Sequence, residues 1–70
     1  MNGGDQLAIP RLLRPAEVAR LLTTSRTTVY RLIGSGELPC VRFAGATVRV
    51  KESDLAAFIE EHSGNGREHA

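Results

Sequence analysis

The sequence predicts a small mixed α+β domain, mostly helical, in the order helix, tight turn, helix, two-stranded hairpin, helix. Three observations carry that expectation. Apolar residues recur at i, i+3 and i+4 in three windows, the first two separated by little more than Thr23, Thr24 and Ser25. Between the second and third windows the period shortens to two, the spacing of a strand. A length of 70 residues leaves room for one domain with one modest core.

The first helix is signalled by RPAEVARLL. Pro15 suits the first helical position and Glu17 complements the positive end of the helix. Val18, Leu21 and Leu22 are expected to form its buried stripe. Thr23 and Thr24 break the period, and Ser25 is a good cap for a second helix. There Val29, Leu32 and Ile33 share the inner face. At about 100° per residue, Thr27, Tyr30, Arg31 and Gly34 fall opposite, with Arg26 and Thr28 on the flanks. Gly34 and Gly36 end the helix, and Pro39 prevents its continuation.

PCVRFAGATVRV then alternates, with Val41 and Phe43 against Arg42, and Val48 and Val50 against Arg49. Gly45 within AGAT supplies the tight turn of a hairpin. KESDLAAFIEEH resumes helical spacing through Leu55, Phe58 and Ile59, with His62 as a charge partner at the helix C-terminus. Residues 1–11 read as a flexible arm, 12–62 as the folded domain, and 63–70, SGNGREHA, as a flexible polar tail.

Composition excludes several classes. With 41% hydrophobic and 24% charged residues the chain is neither disordered nor lipid-spanning, and MNGGDQLAIP lacks the features of a signal peptide. Cys40 is the only cysteine, so there is no internal disulfide, and with His62 and His69 alone it makes no zinc site. A reduced, cytoplasmic protein is expected. No carboxylates are paired with a nucleophile and no glycine-rich phosphate loop follows a strand, so the reading is of a non-enzyme without cofactor or metal.

The net charge of +1 conceals a division along the chain. Arg11 to Lys51 holds eight basic and two acidic residues, a net +6, whereas Glu52 to Ala70 holds one basic and five acidic, a net −4. A polyanion-binding body with an acidic end has this distribution. Two short helices joined by a tight turn, the second carrying donors outward, form a helix-turn-helix. A helix entering the DNA major groove needs hydroxyls and guanidiniums near its N-terminus, where free backbone amides also attract phosphate. Ser25, Arg26, Thr27 and Thr28 stand there. Tyr30 and Arg31 follow one turn later, where a helix more often meets the sugar-phosphate backbone. The hairpin, with Arg42 and Arg49, would be a wing against the neighbouring groove.

Residues 12–62 resemble the excisionase-type, MerR-like winged helix-turn-helix domains. The shared motifs are P-x-E-V-A-x-L-L, S-R-T-T-V-Y-R-L-I, S-G-E-L-P, R-x-x-G-x-x-x-R and D-L-x-x-F-I. The resemblance implies a recognition helix formed by Arg26, Thr27, Thr28, Tyr30 and Arg31, and a wing around Gly45 that includes Thr47. Two departures stand out: Arg14 replaces the usual Ser or Thr cap, and the wing tip Ala44-Gly45-Ala46-Thr47 lacks a basic residue. The implied function is that of an excisionase, a recombination directionality factor that loads cooperatively on attachment-site DNA, bends it and assists an integrase. A small MerR-like transcription regulator without an effector domain is the alternative, and a protein-docking module a third reading. Full-length regulators of this type continue into a coiled coil and effector domain, so neither a small-molecule ligand nor a stable symmetric dimer is expected here. The expected partners are double-stranded DNA, other copies of the chain and an integrase. Charge division adds that Glu60 and Glu61 of one copy would approach Arg42 or Arg49 of the next.

Overall fold

Strand pairing begins earlier than the alternation suggests. In the computed structural model, Leu12–Leu13 forms a strand, β1, antiparallel to the last strand, with Leu12 opposite Lys51 and Leu13 opposite Val50. The structure describes residues 9–69, with side chains through residue 63, so most of the expected arm lies outside the described residues. After β1 come α1 (Pro15–Leu22), α2 (Arg26–Ser35), β2 (Val41–Phe43), β3 (Thr47–Lys51) and α3 (Glu52–His69). The sheet order is β1-β3-β2. This is the expected winged helix-turn-helix, with a third strand added to its hairpin.

A two-residue strand carries no alternation to read, which is why β1 is invisible in sequence. Its position matters, because the Glu52 amide donates to the Arg11 carbonyl at 2.8 Å and ties the start of α3 to the chain entering α1.

Arg14 caps α1 although its side chain has no acceptor. The Glu17 carboxylate reaches back to accept the Arg14 amide at 2.8 Å, and the Arg14 carbonyl accepts the Glu17 and Val18 amides at 2.9 and 3.0 Å. One half of a capping box therefore does the work of the missing Ser or Thr. The buried stripe is Pro15, Val18 and Ala19, with Leu22 packed beside them. Leu21, expected in that stripe, is 60% exposed. It lies roughly 110° around the helix from the stripe's centre, and Ala19 takes the inner position.

Thr23 ends α1 in the left-handed region at φ 58°, with its amide donating to the Arg20 carbonyl and that of Thr24 to Ala19. Gly36 ends α2 the same way at φ 86°, with its amide donating to Ile33 and that of Glu37 to Leu32. Both are Schellman closures. The second one turns Leu38 inward, where it is completely buried.

The core is one cluster: Leu13, Val18, Ala19, Val29, Ile33, Leu38, Val48, Val50 and Leu55, flanked by Leu22, Leu32, Cys40 and Phe58. Every element except the short β2 contributes a buried residue to it. Ile59, expected on the inner face of α3, is 41% exposed, because the core ends at Phe58 and the helix continues past it. The helical backbone runs to His69, beyond the expected boundary at residue 62. Adding a turn to an existing helix costs far less than nucleating one. His62 is consequently not at the helix C-terminus. Its Nδ1 donates to the Phe58 carbonyl at 2.8 Å, and its ring lies 4.1 Å from that of Phe58. Among the described residues no helix is long and apolar enough to cross a membrane.

Candidate nucleic-acid interface

Ser25 sets the start of α2. With extended backbone, φ −91° and ψ 159°, its Oγ accepts the Thr28 amide at 3.1 Å, and its carbonyl accepts the Val29 amide at 3.2 Å. The amides of Arg26 and Thr27 belong to the first turn, where no helical carbonyl is available to them. α2 has no acidic residue in its first turn to offset that partial positive charge.

Arg26, Thr27, Tyr30 and Arg31 are all exposed. Tyr30 is 51% exposed, so about half of its surface is open to solvent. Thr28 is half-buried, and its hydroxyl lies 3.1 Å from the Ser25 Oγ, which engages it in the cap. Of the residues expected on this face, Ser25 and Thr28 thus build the helix start, while the other four project outward. Among the described residues the one ion pair is Arg11 with Glu52, at 4.0 Å and well exposed. Neither arginine of α2 is therefore neutralised by a carboxylate of the described residues.

The wing is tied to α2 through the common core, since Val29, Ile33 and Val48 belong to one cluster. Its turn, Ala44 to Ala46, holds two consecutive left-handed residues, Ala44 at φ 50° and Gly45 at φ 83°. Gly45 is required for that backbone, not for space, because a Cβ there would meet nothing within 4 Å. Cross-strand partners are Val41 with Arg49, Arg42 with Val48, and Phe43 with Thr47. Partners share a face, so Arg42 lies on the Val48 side and Arg49 on the Phe43 side. Arg42 is exposed. Arg49 is half-buried, with Nη1 donating to the Val48 carbonyl at 2.8 Å.

The register also shows what alternation alone leaves open. Val41 and Phe43 face away from Val48 and Val50, so the two apolar runs of the hairpin lie on opposite sides of the sheet. Phe43 is 48% exposed beside the wing tip, next to Thr47. The three-residue turn fixes that phase, and it was the available signal in AGAT. Among the described residues no group of three or more His, Cys, Asp or Glu side chains is placed to hold a metal.

Residues 12–63 match a family model described as a helix-turn-helix domain. Two proteins of Mycobacterium tuberculosis, from strains CDC 1551 / Oshkosh and H37Rv, are each 53% identical to this chain over 55 residues, covering 79% of it and 69% of their own length. Both carry the name "Putative DNA-binding protein".

Proposed function

The chain belongs to the helix-turn-helix domain family, and we propose that it binds duplex DNA with α2 in the major groove and the hairpin as a flanking wing. The observation that carries this reading is an exposed face of Arg26, Thr27, Tyr30 and Arg31 at the start of a helix with no acidic residue and, among the described residues, no ion pair. The named DNA-binding relatives support it. Arg26 is assigned to a guanine edge or a phosphate and Thr27 to a phosphate or thymine methyl. Tyr30 and Arg31 take the sugar-phosphate backbone, and Arg42 and Arg49 the phosphates beside the wing. Ser25 and Thr28 act by holding the helix start, and Gly45 and Thr47 by shaping the wing.

Within this reading we assign the chain to the excisionases, on the motif spacing through residues 12–62 and the charge division. One such module neutralises few phosphates, so tight binding calls for several copies side by side. Glu60 and Glu61 are both exposed on α3, far in sequence from the basic wing. A like-charged patch repels itself across a twofold axis, which favours head-to-tail contact between the acidic α3 of one copy and Arg42 or Arg49 of the next. Such contacts propagate along DNA and curve it, the geometry an integrase needs.

Footprinting on DNA from the region of its own gene, with increasing protein, tests this directly. Cooperative filling of adjacent sites is expected, lost in a Glu60→Lys/Glu61→Lys variant, together with stimulation of excision by the cognate integrase. Independent filling would remove the head-to-tail contact. Binding without any effect on excision would transfer the chain to the transcription regulators.

A further inference from the structure

The wing tip carries no cation, yet it is not featureless. Phe43 stands beside it 48% exposed, and the turn itself is Ala44, Gly45 and Ala46. We propose that this tip is an apolar wedge for the minor groove, with Phe43 the residue that contacts sugars and base edges there and bends the duplex.

The inference rests on the reading of α2 as the major-groove helix. A module seated in a major groove meets the adjoining minor groove across a single phosphate strand. That groove is only about 6 Å wide, so what enters it must be narrow. Two successive left-handed residues, Ala44 and Gly45, close the turn tightly, and its side chains are no larger than methyl groups. Phe43 follows directly behind, kept off the core because its partner is Thr47 while Val48 and Val50 point inward.

Charge placement agrees. No acidic residue lies between Leu38 and Lys51. Arg42 and Arg49 stand behind the tip on opposite faces of the ribbon, one on the Val48 side and one on the Phe43 side. A minor groove has a phosphate strand on each rim, and a ribbon with a cation on each face and an apolar tip matches that arrangement. Apolar wedges in this position unstack base steps and kink DNA toward the major groove. A basic tip would grip one phosphate strand, whereas an apolar one gains by entering.

The test compares Phe43→Ala and Phe43→Leu in the full chain, on a duplex from the region of its own gene that holds one copy's site, where contacts between copies cannot contribute to the bend. Electrophoretic mobility with circularly permuted fragments measures bending, and anisotropy over a range of salt measures affinity. Phe43→Ala is expected to lose most of the bend and to bind roughly tenfold more weakly with an unchanged salt slope, since no phosphate contact is removed. Phe43→Leu should retain both. Unchanged bending and affinity in Phe43→Ala would overturn the proposal, as would a loss expressed as a shallower salt slope. Hydroxyl-radical footprinting of the unmodified chain reads the same point without a variant. Protected minor-groove sugars beside the helix footprint are expected, and their absence would overturn the wedge. A chain that binds without bending refutes the wedge alone, whereas a chain that does not bind DNA refutes the underlying reading.

Discussion

The Ser25 hydroxyl holds Thr28 twice, accepting its amide at 3.1 Å and lying 3.1 Å from its hydroxyl. Two of the polar residues on the proposed DNA-facing helix are thereby committed to its own start, and this separates their role from that of Arg26 and Thr27. Ser25→Ala should destabilise the domain by about 1 kcal/mol through loss of the cap. Ser25→Asp should keep the stability, because Asp caps as well as Ser and its charge suits the helix N-terminus, yet it places a carboxylate against phosphate. Thermal melts and anisotropy together check this: Ser25→Asp is expected to melt like the parent and bind DNA roughly tenfold more weakly at low salt, with less difference as salt rises.

Leu38 lies outside every periodic window of the sequence, whereas helical spacing places Leu21 in a buried stripe. Leu38 is fully buried in the segment after α2, and Leu21 is 60% exposed on α1. Leu38→Ala should cost about 2–5 kcal/mol, a large part of what so small a domain possesses. Leu21→Ala should fall within about 0.5 kcal/mol of the parent. Urea denaturation of the two variants measures the contrast, and equal costs would contradict the packing.

Thr23 sits in the left-handed region at φ 58°, where a β-branched residue is strained. Thr23→Gly is expected to raise stability by up to about 1 kcal/mol by relieving that strain within the same turn. A rise of a few degrees in the melting temperature is the result to look for. The same variant should bind DNA unchanged if the turn serves only to set the angle between α1 and α2.

Arg26 and Arg49 should divide specificity from general affinity. Arg26→Ala is expected to cost about 1–3 kcal/mol on the preferred site and to relax discrimination at one base pair, as loss of a guanine contact would. Arg49→Ala should weaken binding to all sequences alike and reduce the salt slope by about one. Competition with single-substituted duplexes distinguishes them. Equal, sequence-blind losses would take base reading away from Arg26.

Local chemistry made much of this molecule legible. Pro15, Glu17, Ser25, Gly36 and Pro39 act through the backbone of their own segment, so the ends of α1 and α2 and the tight turn between them follow from residue types. The outward placement of Tyr30 and Arg31 follows from helical period once Val29 and Ile33 face inward. What tertiary structure decided is which apolar residues reach the core. Leu38 is buried because the Gly36 closure folds its segment under α2, and no periodicity leads to an isolated leucine. Leu12–Leu13 becomes a strand only because β3 has a free edge, and Ile59 is left outside because the core ends one residue earlier. The side taken by Phe43 depends on the strand register, since a change of one residue would carry it across the sheet. Caps and turns are satisfied by near neighbours in sequence, whereas burial and register depend on partners brought together only by folding.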